Sequence, residues 1–144
     1  MLAINGRDAG TPAVQGESVT LSIDGALVTV PAGTSIMRAA AAAGGAIPKL
    51  CATDTLKAFG SCRVCLVEVE GQRGFPASCT TLVAPGMKVK TESARAVAAQ
   101  KMVMELLVAD QPARETSHDP DSKFWHWAEK VEVTGSRFPA AERW

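Results

Sequence analysis

The sequence predicts an α+β domain with a mostly irregular C-terminal arm containing a short helix. Three observations carry this. Two alternating apolar runs flank the turn dipeptide Asp24-Gly25. Two helical periodicities, one alanine-rich and one long, stand on either side of a loop region holding all four cysteines of the chain. Past residue 110 the periodicity stops, and five of the seven Phe and Trp residues follow there. The order is strand, strand, helix, cysteine loop, strand, short strand, strand, helix, then the arm.

Residues 1–17 are punctuated by Gly, Pro, Asp and Asn, with no period, and are expected to be a flexible or loosely docked leader. They lack the basic start and apolar core of a secretory signal. Residues 18–31 read as a β-hairpin. Asp24-Gly25 suits a two-residue type I′ turn, pairing Ile23 with Ala26, Leu21 with Val28 and Val19 with Val30. All six then share one half-buried face, and Pro31 stops the second strand. Thr34 is the expected N-cap of a helix running to about Ala43, with Ile36, Ala39, Ala40 and Ala43 on one face. Gly44 and Gly45 end it.

Residues 46–63 form the cysteine loop. Leu66, Val67 and Val69 are expected in a strand, Gly71 to Gly74 in a turn, and Phe75 to Ser78 in a short return strand. Residues 87–91 make another strand after Pro85-Gly86. The longest helix is expected over 93–109, burying Ala96, Ala99, Val103, Leu106 and Leu107, with Lys101 and Glu105 opposite. At least one of Met102 and Met104 should fill the core. In the arm, a short helix over 121–131 carries Phe124, Trp125, Trp127 and Ala128, capped by Asp121 or Ser122.

Fifteen basic and fifteen acidic residues balance in a chain of 144. No global attraction to nucleic acid or anionic lipid follows. No apolar run reaches the ~20 residues of a membrane span. A cytoplasmic setting is expected, and there cysteine groups are more often metal sites than disulfides.

The chemistry lies in Cys51, Cys62, Cys65 and Cys79, separated by ten, two and thirteen residues. Two residues between Cys62 and Cys65 let one turn chelate one metal centre. Cys51 approaches from the same loop and Cys79 from beyond a strand, a turn and a second short strand. This layout suits a two-iron, two-sulfur cluster on four thiolates, although the plant-type pattern has four residues in the first gap. Gly60 and Ser61 precede the pair, and Arg63 and Val64 lie inside it. Glycine lets backbone approach a bulky inorganic core, with N–H groups turned to the sulfurs. Three other readings stay open: a four-cysteine zinc site acting as an interaction module, two disulfides, or four unrelated buried thiols.

The runs IPKLC, GSCRVCLVEVEG and SCTTLVAPGMKVKT resemble the N-terminal ferredoxin domain shared by NAD-linked redox complexes. These are the large iron-sulfur subunit of respiratory complex I, NAD-reducing and iron-only hydrogenases, and the alpha subunit of NAD-dependent molybdenum or tungsten formate dehydrogenases. The resemblance spans about residues 18–110. It implies a β-grasp 2Fe–2S ferredoxin-like domain there, with Cys51, Cys62, Cys65 and Cys79 as the cluster and metal ligands. Residues 111–144 become a linker or docking arm after the leader and the domain. Several relatives place a His and three Cys directly after the long helix for a 4Fe–4S cluster. No cysteine follows Cys79, and His118 and His126 cannot replace three thiolates, so no 4Fe–4S cluster is expected in this chain.

The expectation is an electron relay without catalytic residues. Glu68 and Glu70 read as a solvated strand edge, and no nucleotide-binding glycine motif is present. Within the resemblance, the tail is similar to the linker of some formate dehydrogenase alpha subunits. That implies partners in other domains or subunits, including a flavin and NAD-binding subunit. A Mo/W pterin, further Fe–S clusters and FMN are then expected elsewhere in the complex. An equivalent domain of a hydrogenase or of complex I is the alternative. The chain is then expected to be a fragment of a longer subunit, or a separate piece equivalent to one. The arm is expected to anchor on a neighbouring domain or subunit, or else to fold back and complete the domain's own core; either way it should matter little for the cluster, because all four cysteines lie upstream of it.

Overall fold

The structure, a computed structural model, describes residues 8–142. The first seven residues of the expected leader, and Trp144 of the arm, lie outside that range. The hairpin forms as expected: β1 (Ser18–Ile23) pairs antiparallel with β2 (Ala26–Pro31) in the register Val19 to Val30, Leu21 to Val28 and Ile23 to Ala26. Asp24 and Gly25 both have positive φ, as a type I′ turn requires. Ala26 keeps the expected register but is exposed beside the turn, and Pro31 is the last residue of β2 rather than its stop.

The helix after the hairpin, α1 (Ile36–Ala42), starts one residue later than expected. Its cap is Ser35, whose hydroxyl accepts the Arg38 N–H at 3.0 Å, and not Thr34. Ile36, Met37, Ala39 and Ala40 are buried, whereas Ala43 is exposed because the helix ends before another turn is completed. Gly44 follows at φ +85.

Strand β3 is only Glu68–Val69, and β4 is Lys88–Lys90. The sheet order is β2-β1-β4-β3, with β1 and β4 parallel and the outer pairs antiparallel. This mixed sheet, with α1 packed on β2 and the core, is the expected α+β arrangement. Leu66 is outside β3, bridged singly to Ala77, so the expected return strand at 75–78 is no more than a bridge. Two backbone bonds hold it, from the Val67 N–H to the Pro76 carbonyl and from the Ser78 N–H to the Cys65 carbonyl, each at 3.1 Å. The main core joins Leu21, Ile23, Ile36, Val67 and Val89 to Cys65 and Cys79.

Helix α2 (Ala94–Ala109) is capped by Ser93 and buries Ala96, Gln100, Met104 and Val108. This stripe runs at every fourth residue; of the expected face, Ala96 is buried and Val103 packs partly buried on the second core, whereas Leu106 is 48% exposed. Met104 is the core methionine and Met102 is exposed. After a single 3-10 turn (Arg114–Thr116), α3 (Lys123–Lys130) folds back onto α2. Trp125, Ala128 and Val133 join Val64, Met104 and Val108 in a second core. The arm is further tied to α2 by Lys101–Glu132 and Arg137–Glu105 ion pairs, at 3.0 and 3.2 Å.

Residues 8–11 are also held. Gly10 and Thr11 are buried, the Thr11 and Ser35 hydroxyls lie 2.7 Å apart, and the Arg38 guanidinium donates to the Thr11 carbonyl at 2.7 Å. Gly10 has φ +84, and a Cβ there would overlap the Met37 sulfur. The described part of the leader is therefore a strap across α1, docked at its first residues.

Candidate metal centre

The four cysteines converge as two pairs. Cys51 and Cys62 face each other and are half-buried; Cys65 and Cys79 face each other and are buried. Among the described residues, no three or more His, Cys, Asp or Glu side chains gather as a site for one ion. The Cys79 sulfur nonetheless feels the charges of Cys65, Cys51 and Cys62, which puts the two pairs in one neighbourhood.

Each turn is positioned by different elements. Met37 N–H, in the first turn of α1, donates to the Ser78 carbonyl at 3.0 Å, and Ile36 N–H donates to the Thr81 carbonyl at 2.9 Å. The free N–H groups of the helix start thus hold the Cys79 turn. The Ser78 hydroxyl and its N–H both donate to the Cys65 carbonyl, at 2.8 and 3.1 Å. The Gln100 side-chain amide on α2 donates to the carbonyls of Leu66 and Thr91, at 2.9 and 3.1 Å. On the other side, Asp8 accepts from the Asp54 N–H at 3.0 Å and pairs with Lys49 at 3.4 Å, bracketing Cys51.

The electrostatics shift the two members of each pair in opposite directions. The facing Cys79 thiol, offset by burial, with the Cys79 and Ser78 N–H groups and the Ser78 hydroxyl, lowers Cys65 to about 6. Cys79 is pushed up by Cys65 and by burial. Burial acts to raise Cys51, but the Cys62 and Ser61 groups outweigh it and leave it lowered. Burial raises Cys62 despite the Val64 N–H facing it. Such neighbouring thiols share their protons as pairs. A bound cation would replace those protons and draw all four sulfurs to thiolate.

The flanking residues of the loop have distinct places. Gly60 is buried at φ +70, and a Cβ there would stand 3.1 Å from the Thr80 methyl. Arg63 adopts φ +58 and is exposed, with its guanidinium 3.4 Å from the Gly60 carbonyl. Ser61 is exposed beside Cys51. Val64 is fully buried in the second core with Trp125 and Met104, and Cys62 packs partly buried against the same core. The arm's Trp125 shares the second core with Val64, and Cys62 packs against that core, so the arm reaches the neighbourhood of the cysteine turn. Glu68 is also more than a solvated edge, since Ser93 donates to it at 2.7 Å and Arg95 pairs with it at 3.3 Å.

Sequence reasoning missed Asp8, Ser78 and Gln100. Ser78 and Asp8 have no pattern that marks them. Gln100 had one signal, a lone polar residue four positions from both Ala96 and Met104.

The family described as "2Fe-2S iron-sulfur cluster binding domain" matches residues 16–94. The chain is 49% identical over 100 residues to a NADH-quinone oxidoreductase subunit of Mycobacterium bovis, covering 68% of this chain and 12% of that protein. It is 50% identical over 106 residues to the Streptomyces coelicolor protein of the same name, covering 72% and 13%. It is 43% identical over 99 residues to NADP-reducing hydrogenase subunit HndD of Solidesulfovibrio fructosivorans, covering 65% and 17%. The chain thus spans a small part of the length of these relatives. Among solved structures, an NAD+-reducing [NiFe]-hydrogenase in the H2-reduced state superposes with TM-score 0.73 and 28% identity, covering 89% of this chain and 56% of that one.

Proposed function

This chain belongs to the 2Fe-2S iron-sulfur cluster binding domain family, and from that premise we propose that Cys51, Cys62, Cys65 and Cys79 hold one 2Fe–2S cluster that relays single electrons within a multi-subunit NAD-linked oxidoreductase. The observation that carries this is the match of residues 16–94, which hold all four cysteines, to the 2Fe–2S family, with Cys51 neighbouring Cys62 and Cys65 neighbouring Cys79. Two thiolates for each of two irons is the donor set of an all-cysteine 2Fe–2S cluster. One tetrahedral zinc would instead need all four sulfurs about 2.3 Å from a single point.

The bound cluster supplies one-electron exchange. The four cysteines would hold it, with the Ser61, Val64 and Ser78 N–H groups beside the sulfurs. Cys65 and Cys79 lie in the main core and Cys51 and Cys62 nearer solvent, so the Cys51 side is the natural side for exchange. No helix among the described residues is long and apolar enough to cross a membrane.

The partners in this reading are other domains or subunits of the complex, including one that binds flavin and NAD. The finer reading is the alpha subunit of a formate dehydrogenase, with formate oxidised at a molybdenum or tungsten pterin elsewhere. It rests on the cysteine-free arm after α2. The relatives' names support the second reading, an equivalent domain of complex I or of a hydrogenase. Purification of the native complex decides between them. Molybdenum or tungsten with formate-dependent NAD reduction is expected; quinone-linked NADH oxidation or hydrogen turnover without either metal would overturn the finer reading. A redox titration of the chain should find a midpoint near about −400 mV, and a positive midpoint would contradict the all-thiolate assignment.

A further inference from the structure

A groove of about 930 Å³ runs between α1, the residues leading to Cys51, and α3, and Cys51 itself is part of its lining. Its α3 wall is Lys123, His126, Trp127 and Lys130, spaced i, i+3, i+4 and i+7 along one face. Trp127 is half-buried under the Lys130 ammonium, 4.9 Å from the ring centroid. The opposite wall holds Arg38 and Lys49. The one carboxylate in the lining, Asp8, is engaged by Lys49. Among the described residues, Arg38, Lys123 and Lys130 pair with no carboxylate. Three cations without a carboxylate partner thus border one groove that ends at a half-exposed cysteine.

We propose that this groove is the docking site for an acidic segment of the redox partner that exchanges electrons with the cluster on its Cys51 side. The inference rests on the relay reading above. Cations along a seven-residue span of α3 extend over roughly 10 Å, the reach of an extended or helical peptide rather than of one phosphate. The half-exposed Trp127 offers an aromatic anchor at the centre of the charged face, as interface hot spots do. Opposite charge across such a surface speeds encounter and fixes register, and it brings the partner onto the ligand nearest solvent. A free nucleotide phosphate is the competing anion, and the test separates the two.

The test uses the assembled redox complex purified with this chain. Acetic anhydride labelling, read by peptide mass spectrometry, should find Lys123 and Lys130 protected about tenfold relative to the dissociated chain, with Lys90 unprotected. Carbodiimide should join one of the two lysines to an Asp or Glu outside this chain. Equal reactivity in complex and free chain, with no such link, overturns the proposal. So does protection by added ATP alone with none from the complex. In a Lys123→Glu, Lys130→Glu variant the free chain should keep its visible spectrum while partner-driven reduction slows about tenfold and loses salt dependence. Unchanged reduction kinetics overturn the docking site and leave the relay intact, whereas a complex with no 2Fe–2S signal overturns the relay itself.

Discussion

Ser78 lies directly before the fourth cysteine, fully buried, and its hydroxyl donates to the Cys65 carbonyl at 2.8 Å. It ties one cysteine turn to the other. Ser78→Ala removes that bond while the backbone N–H keeps its own, so a loss of about 1 kcal/mol is expected in denaturant unfolding. An unchanged midpoint would show the hydroxyl to be idle. Gly60 and Arg63 make a paired test in the same loop, because both have positive φ. Gly60→Ala adds backbone strain of roughly 1–2 kcal/mol and a tight contact with Thr80, and should lower the iron bound per chain. Arg63→Gly relieves strain of the same kind and should match or exceed the parent in iron content. If both variants lose iron equally, conformation at these sites is not what forms the loop. Gly60 was legible in the sequence as a residue of special backbone. Arg63 was not, since nothing in an arginine announces a left-handed conformation.

At the scale of elements, the hairpin was legible to the register, because Asp24-Gly25 sets the turn and the alternation sets the face. Of the buried stripe of α2, Ala96 was legible and Gln100 and Val108 were not. Ala96, Gln100, Met104 and Val108 won over the leucine face because Gln100 has two carbonyls to satisfy inside, and α3 covers Met104 and Val108. The arm's place was equally hidden, as aromatics suit a neighbour's surface and the domain's own core alike. Trp125 is 6% exposed and packs with Val64 between Cys62 and Cys65. Trp125→Ala should cost about 3–5 kcal/mol and hasten cluster loss to a chelator. Parent-like chelation kinetics would show that α3 does not support the cysteine turn. The strap behaves differently. Burial raises the Asp8 carboxyl, but the Gly10 N–H, Lys49 and the Asp54 N–H together hold it below its usual 3.8. A depressed carboxyl stabilises above its ordinary value and loses that contribution as pH falls through the lowered one. Exchange at the Gly10 and Asp54 amides, taken relative to its intrinsic rate at each pH, should therefore stay slow at neutral pH and quicken only in acid below about pH 4. In Asp8→Asn it should be fast throughout, and a parent-like acid dependence in that variant would remove Asp8 from the account.

Over the whole molecule, a mixed sheet and two helices bring together cysteines that are ten, two and thirteen residues apart. Spacing alone left zinc, disulfide and cluster readings open, since it does not say how sulfurs group in space. The fold groups them as two facing pairs, one in the main core and one nearer solvent. The most direct measurement is iron, acid-labile sulfide and zinc analysis of freshly purified chain, taken together with its visible spectrum. The account predicts two irons and two sulfides per chain, a red-brown colour, and loss of both when any one of the four cysteines is replaced by serine. One zinc per chain with no sulfide and no visible absorption would contradict it.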